Sequence, residues 1–367
     1  MFPAQTCSQQ FKIAESFTSL ILCIVLLFCF CAPVFADEPP VGTEVGTTPV
    51  DFKNSQTVNA FIDFMVSRHG FTRAELEAIF SNVEFNAQTI QLMKPAPISK
   101  PKNWEVYRAR FIEPIRIRAG VEFWTKYAKT LKRAESVYGV PSQIIVGIIG
   151  IETLYGKHVG KFRLLDVLST LSFAYPDTPN RDARMTYFLG ELEQTLLLAR
   201  ESGIDPFSLQ GSYAGAVGWP QFMPSSIRQY AVDFNGDGKI DLRNSPEDAI
   251  GSVANFLSQH GWVRGLPLTF PVNTTGDPTD RLTKELNATF TLQQLADIAQ
   301  PTTPTPPNGL LYSLIDLQNG ENPTEYWLAT DNFFAITKYN RSYFYAMSVI
   351  ELGKAVCKAK FNKNSCE

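Results

Sequence analysis

Histidine is nearly missing from this 367-residue chain: His69, His158 and His260 are its only three, and they are scattered. No metal-hydrolase spacing forms among them. Gly-x-Ser-x-Gly, a P-loop and a dinucleotide fingerprint are absent as well, which removes several further enzyme classes. Positive charge is not in excess, since 33 Lys and Arg stand against 36 Asp and Glu. The net charge of -3 therefore offers no basic field for nucleic acid. No internal repeat stands out. The 44% hydrophobic and 19% charged residues describe a globular chain long enough for two or three domains.

Cysteine is scarce once the N-terminus is set aside. Leu20 to Cys31 is an apolar run too short to favour a membrane span, and Val34-Phe35-Ala36 carries small residues where signal peptidase reads. We expect residues 1–36 to be a signal peptide cleaved after Ala36. Its removal takes Lys12 and Glu15, one charge of each sign. Leu22, Phe28 and Phe30 are too bulky to precede a lipidated cysteine, so a soluble exported protein is expected. Only Cys357 and Cys366 remain in the mature chain. An even pair in an exported protein predicts a disulfide tethering the C-terminal tail, two free thiols being the alternative.

Residues 37–56, rich in Pro, Gly and Thr, read as a flexible lead-in. Helical spacing of apolar residues then dominates, through Phe61 to Phe80, Trp104 to Gly139, Thr186 to Ser202 and Ala249 to His260. Beyond Gly261, Pro, Thr and Asn take over, and β-like stretches follow at Gly309 to Leu317 and Glu325 to Thr330.

The most informative stretch is VPSQIIVGIIGIETLYGKHVG, from Val140 to Gly160. Its isoleucines leave no polar face, so a helix here is buried on nearly every side. Glu152 nevertheless sits close to the expected helix end at Gly156. Burial and a helix C-terminus both favour the protonated carboxyl, as a general acid requires. A buried acid paired with Arg or Lys gives the same pattern.

Two more stretches carry chemistry. In GSYAGAVGWPQFMPSS, Ser212, Tyr213, Trp219, Gln221 and Ser225 supply hydroxyls, an amide and aromatic faces among glycines. Pyranose rings need that mixture, although a turn-rich connection with core aromatics would use it too. In DFNGDGKID, Asp233, Asn235 and Asp237 followed by Gly238 match the first half of an EF-hand loop, with the Lys239 carbonyl next in line. Asn244 occupies loop position twelve, so Asp248 or Glu247 is expected to close a longer loop. All-oxygen ligation points to calcium, with a plain Asx-turn loop as the alternative. No organic cofactor is expected.

GIIGIETLYG, GSYAGAVGWPQFMPSS, the EF-hand-like loop and YNRSYFYAM, in that order, closely resemble the membrane-bound lytic transglycosylase B family from about Val58 to Leu352. The resemblance implies a mainly α fold. A lysozyme-like core (132–262 and 325–340) would be flanked by an α domain (57–131 and 341–367) and a small β-rich insertion (263–324). It implies a periplasmic, monomeric enzyme acting on peptidoglycan glycan strands, with cell-wall synthesis or hydrolysis complexes as further partners. Glu152 matches the catalytic acid/base and Ser212 the neighbouring hydroxyl. Gln221, Tyr107, Tyr339, Asn340 and Tyr345 match residues of the saccharide groove, and Asp233, Asn235, Asp237, Lys239 and Asp248 match the calcium loop. The chain departs from the pattern at Trp219-Pro220, where some members carry Tyr-Gly, and in a calcium loop one residue longer before Asp248.

The chemistry so implied is cleavage of the β-1,4 bond between N-acetylmuramic acid and N-acetylglucosamine by one glutamic acid, with 1,6-anhydromuramic acid ends as product. Two other readings compete: a hydrolytic muramidase, and a non-catalytic calcium-stabilised peptidoglycan-binding module.

Overall fold

The computed structural model describes residues 50–95, 101–283, 285–361 and Cys366. The expected signal peptide and most of the expected lead-in lie outside the described residues. In residues 50–56, the rest of that lead-in, Phe52 is already buried with its ring 6.2 Å from Phe173.

The chain starts with α1 (Gln56–His69), α2 (Arg73–Phe80) and α3 (Ala87–Met93). The region from Trp104 to Gly139, continuous by its spacing, divides into α4 (Trp104–Ala109), α5 (Pro114–Lys126) and α6 (Ala128–Tyr138). Pro114 accounts for the first break. It cannot continue a helix but fits the first turn of a new one, which Glu113 caps by accepting the Ile115 and Arg116 amides. Thr72, Asn86 and Asn103 cap α2, α3 and α4, each accepting an amide three residues on.

Next come α7 (Ser142–Thr153), β1 (Phe162–Arg163), α8 (Leu164–Phe173), α9 (Arg181–Ser202), β2 (Gln210–Gly211), α10 (Pro224–Tyr230) and α11 (Pro246–Gln259). β3 (Thr269–Thr274), α12 (Leu292–Leu295), β4 (Ala299–Pro301), β5 (Ser313–Asn319) and β6 (Asn322–Ala329) follow, and α13 (Asp331–Tyr339) and α14 (Tyr343–Phe361) close the fold.

As its sequence requires, α7 runs through the middle: Ile144, Ile145, Val146, Ile148 and Ile149 are fully buried. It packs on α5, α6, α11 and most extensively on α14. Gly147 and Gly353 allow that approach, because a Cβ on either would lie 2.3 Å from a carbonyl oxygen of the other helix, Val349 or Gln143. One apolar core continues from Phe61 and Phe80 through α7 to Leu352 and Val356, so the residues of the expected α domain and those of the expected catalytic core share it.

β4, β3, β6 and β5 form an antiparallel sheet in that order. β6 enters the sheet from Asn322, whereas the sequence placed the edge of the insertion at 324. Gly320 turns the β5–β6 hairpin and brings Tyr326 to Ala329 opposite Ser313 to Asp316. One sheet face carries Phe270, Val272, Leu314 and Leu328 into a second, smaller core with Leu295, Ile298 and Tyr312. The other sends Ile315, Leu317 and Ala329 into the main core. Cys357 of α14 is joined to Cys366 by a disulfide.

Candidate active site

Glu152 stands in the last turn of α7, half-buried. The helix does not run to Tyr155 and close at Gly156 as its sequence predicts. It stops at Thr153, and Leu154, Tyr155 and Gly156 all adopt left-handed backbone, with φ of 50°, 56° and 83°. Two non-glycine residues there cost on the order of 1–2 kcal/mol each. Packing offsets the strain. The Tyr155 ring lies 5.2 Å from Phe123, and its hydroxyl is wedged between Gly120 and Gly150. Thr153 Oγ1 accepts the Gly156 amide and donates to the Trp219 carbonyl, both at 3.0 Å. Arg116 donates to the Gly150 carbonyl, two residues before Glu152. Arg116, Thr153 and Tyr155 were not singled out from sequence. The cue was Thr-Leu-Tyr-Gly directly after the acid, where a polar and an aromatic residue interrupt an apolar run.

Burial pushes the Glu152 carboxyl up to about 7, and a hydrogen bond from Tyr345 opposes that rise. Tyr345 Oη donates to Glu152 Oε1 at 2.6 Å. Tyr345 is itself buried, and its hydroxyl is held well above the ordinary tyrosine range by burial first and then by the fields of Glu152, Tyr339 and Tyr107. Tyr339 stacks on Tyr345 with ring centres 6.4 Å apart and donates its hydroxyl to the Pro220 carbonyl. Tyr107 packs on Phe111 and Phe344 at 5.3 and 5.4 Å. The structure thus brings Glu152, Tyr345, Tyr339 and Tyr107 together from four separate elements. Asn340 follows half-buried, and its side-chain amide bonds to none of the described residues.

The Gly-rich segment meets this cluster through the carbonyls of Trp219 and Pro220. β1 pairs with β2, placing Gly211 opposite Phe162 and starting the turn at Ser212. Ser212 is buried, and its Oγ accepts the Ala214 and Ala216 amides at 3.4 and 3.1 Å. Its hydroxyl makes no hydrogen bond to Glu152. Gln221 adopts left-handed backbone, φ 51°, and its side chain donates to the Gly218 carbonyl at 2.8 Å. Strain of that kind gathers at functional sites. Tyr213 is half-buried beside them. Trp219 is half-buried too, with its indole N–H donated to the Arg243 carbonyl at 3.0 Å. Ser225 and the start of α10 are held by the buried Glu191, which accepts both the Ser225 amide and its hydroxyl.

The oxygen-rich loop precedes α11. Asp233 accepts the Gly236, Asp237 and Gly238 amides, while Asn235 and Asp237 accept amides two residues on. These oxygens at alternating positions, with Gly238 turning the chain at φ 86°, suit a hard cation such as calcium. Asp248, fully buried, is the acid that faces the loop. Its Oδ1 accepts the Phe234 and Asn235 amides and its Oδ2 the Asp241 amide. It is thereby a strut under the loop. Among the described residues no three His, Cys, Asp or Glu side chains gather into a metal-holding group.

These features define a class: a mainly helical protein with a half-buried carboxyl, pushed up by burial, beside a tyrosine cluster and a strained turn. Comparison with known proteins gives that class its family. Residues 53–354 match the family model described as the transglycosylase SLT domain, and the chain belongs to that family of lytic transglycosylases. It is 46% identical over 322 residues to membrane-bound lytic murein transglycosylase B of Escherichia coli K12, covering 84% of this chain and 85% of that one. It superposes with a TM-score of 0.74 on the Escherichia coli lytic transglycosylase Slt35 in complex with calcium, at 44% identity over 84% of this chain and 95% of that one. The TM-score is 0.71 for Pseudomonas aeruginosa SltB3 in complex with NAG-NAM-pentapeptide, at 27% identity over 84% and 80% of the two chains. The fold is that of the lysozyme-like lytic transglycosylases.

Proposed function

We propose that this lytic transglycosylase cleaves the β-1,4 bond between N-acetylmuramic acid and N-acetylglucosamine of peptidoglycan with Glu152 as its single acid and base. The observation that carries the reading is the Glu152 carboxyl, raised to about 7 by burial, with no second carboxylate among the forces that act on it. Most glycosidases divide the work between two carboxyl groups. Here one group serves twice. Tyr345 occupies Oε1, so Oε2 delivers the proton to the glycosidic oxygen as the C1–O bond breaks. The same hydrogen bond favours the carboxylate left behind, which then takes the proton of the muramyl C6 hydroxyl as that oxygen bonds to C1. The products are a glycan with a free 4-hydroxyl and a 1,6-anhydromuramic acid end, and no water is consumed.

Ser212, whose oxygen is pinned by two amides, has its proton free for the substrate's N-acetyl oxygen or for Glu152 once charged. Asn340 and Gln221 supply amides, and Tyr107, Tyr339 and Tyr213 complete the groove. The complex of Pseudomonas aeruginosa SltB3 with NAG-NAM-pentapeptide supports the substrate class. The disulfide of Cys357 and Cys366 supports export to an oxidising compartment, the periplasm.

The calcium complex of Slt35 supports a structural calcium held by the side-chain oxygens of Asp233, Asn235 and Asp237 and by the Lys239 carbonyl, on a loop that Asp248 fixes. The ion's part is to bind the folded loop and stabilise it.

The test is Glu152→Gln on isolated sacculi. The variant is expected to fold and bind glycan while turnover falls by a factor of about 10² to 10⁴ or more. Full activity in that variant would remove Glu152 from the chemistry.

A further inference from the structure

We propose that Trp219 is a positioning residue, a strut between the turn that carries Glu152 and the 241–243 segment of the oxygen-rich loop, instead of a stacking surface for sugar. The inference rests on the acid/base reading of Glu152 and deepens it.

A platform for a pyranose ring needs an unoccupied aromatic face. The indole of Trp219 lies directly against Gly156, where a Cβ would come within 2.4 Å of Cε2 and Cζ2, and packs 5.8 Å from the Phe123 ring. Its polar atoms are all committed. The amide donates to the Leu242 carbonyl at 2.8 Å, Nε1 donates to the Arg243 carbonyl at 3.0 Å, and the carbonyl accepts from Thr153 Oγ1 at 3.0 Å. Arg243 also donates through Nη1 to the Gly160 carbonyl at 2.9 Å, gripping the chain four residues beyond Gly156. The segment is fixed at its root, where Asp241 donates its amide to the buried Asp248. The next residue, Pro220, takes the hydroxyl of Tyr339, which stacks on Tyr345. Trp219 therefore touches Thr153 and Gly156 beneath Glu152, while its neighbour Pro220 holds Tyr339 of the tyrosine pair beside it.

A tilt of this indole would open the dry floor under Glu152. Loss of burial returns a carboxyl toward its ordinary range, so the acid would lose its proton at lower pH. The groups facing Glu152 do not obscure that signal. Tyr345 of α14 and Tyr339 of α13 are held well above ordinary tyrosine by burial, Tyr107 of α4 lies behind Tyr345, and on α5 Arg116 stays charged throughout.

The experiment is the pH dependence of kcat and KM on purified sacculi for the full mature chain and the variants Trp219→Ala, Trp219→Phe and Arg243→Ala, with melting temperatures alongside. Trp219→Ala is expected to lower kcat about tenfold or more with KM changed less than about threefold, and to move the alkaline limb about one pH unit down. Trp219→Phe keeps a ring on Gly156 and is expected to restore the limb. Arg243→Ala, which touches no groove atom, is expected to shift the limb the same way by less, and it decides the matter if Trp219→Ala does not fold. A raised KM with kcat and limb unchanged, or a lowered melting temperature with no change in any pH profile, would overturn the strut. A wild-type enzyme without turnover would instead sink the reading on which the inference rests.

Discussion

At the scale of single residues, the property that equips Glu152 for proton transfer also costs stability. Its carboxyl, raised from 4.5 to about 7, binds a proton in the folded chain where the unfolded chain does not. Folding is therefore favoured below pH 4.5 relative to pH 7, and the contribution is lost as pH rises through that window. Glutamine carries no such penalty. Glu152→Gln is expected to melt at the same temperature as wild type near pH 4 and above it at pH 8, by about 3 kcal/mol at most. Differential scanning calorimetry at the two pH values checks this, and equal melting at pH 8 would mean the carboxyl is not strained by burial. Activity should share the pattern, with an alkaline limb near pH 7. The acid at the end of an apolar helix could be read in the sequence, because isoleucines on every face leave burial as the only option. Tyr345 as its partner could not, since nothing local tells which of thirteen tyrosines folds back across 193 positions.

At the scale of elements, the oxygen-rich loop and the catalytic turn illustrate opposite cases. The loop is written locally: alternating Asp, Asn and Asp with two glycines specify its turns whatever surrounds them. Asp248 is different, since its role depends on where α11 lies. Its carboxylate ties the Phe234, Asn235 and Asp241 amides together, so Asp248→Asn is expected to lower stability by about 1–3 kcal/mol with or without calcium. Wild type is expected to melt higher in calcium than in chelator. Thermal melts of both proteins under both conditions separate a strut from a ligand: an Asp248→Asn effect confined to calcium would make it a ligand alone. The turn after Glu152 was misread by two residues because Gly156 looked like the residue that closes the helix. Tyr155, seated between Gly120 and Gly150, forces the stop earlier, a tertiary demand that overrides the local signal.

At the scale of the whole molecule, helical character and a late β-rich insertion were legible from periodicity, but the extent of each unit was not. β6 joins the sheet through a hairpin whose register depends on strands far away, and α14 returns from the far end of the chain to support α7. The tail of α14 is stapled by Cys357 and Cys366, nine residues apart. Closing so short a loop stabilises by about 2–3 kcal/mol in the chain-entropy account. Cys357→Ser is accordingly expected to lower the melting temperature while leaving kcat unchanged; a loss of turnover in folded protein would tie the tail to the site. The most direct test of the account is the mass of what the enzyme releases from purified sacculi. A single acid and base that closes the muramyl ring predicts fragments ending in 1,6-anhydromuramic acid, lighter by one water than hydrolytic products and absent with Glu152→Gln. Reducing muramic acid ends from wild type, one water heavier, would contradict it.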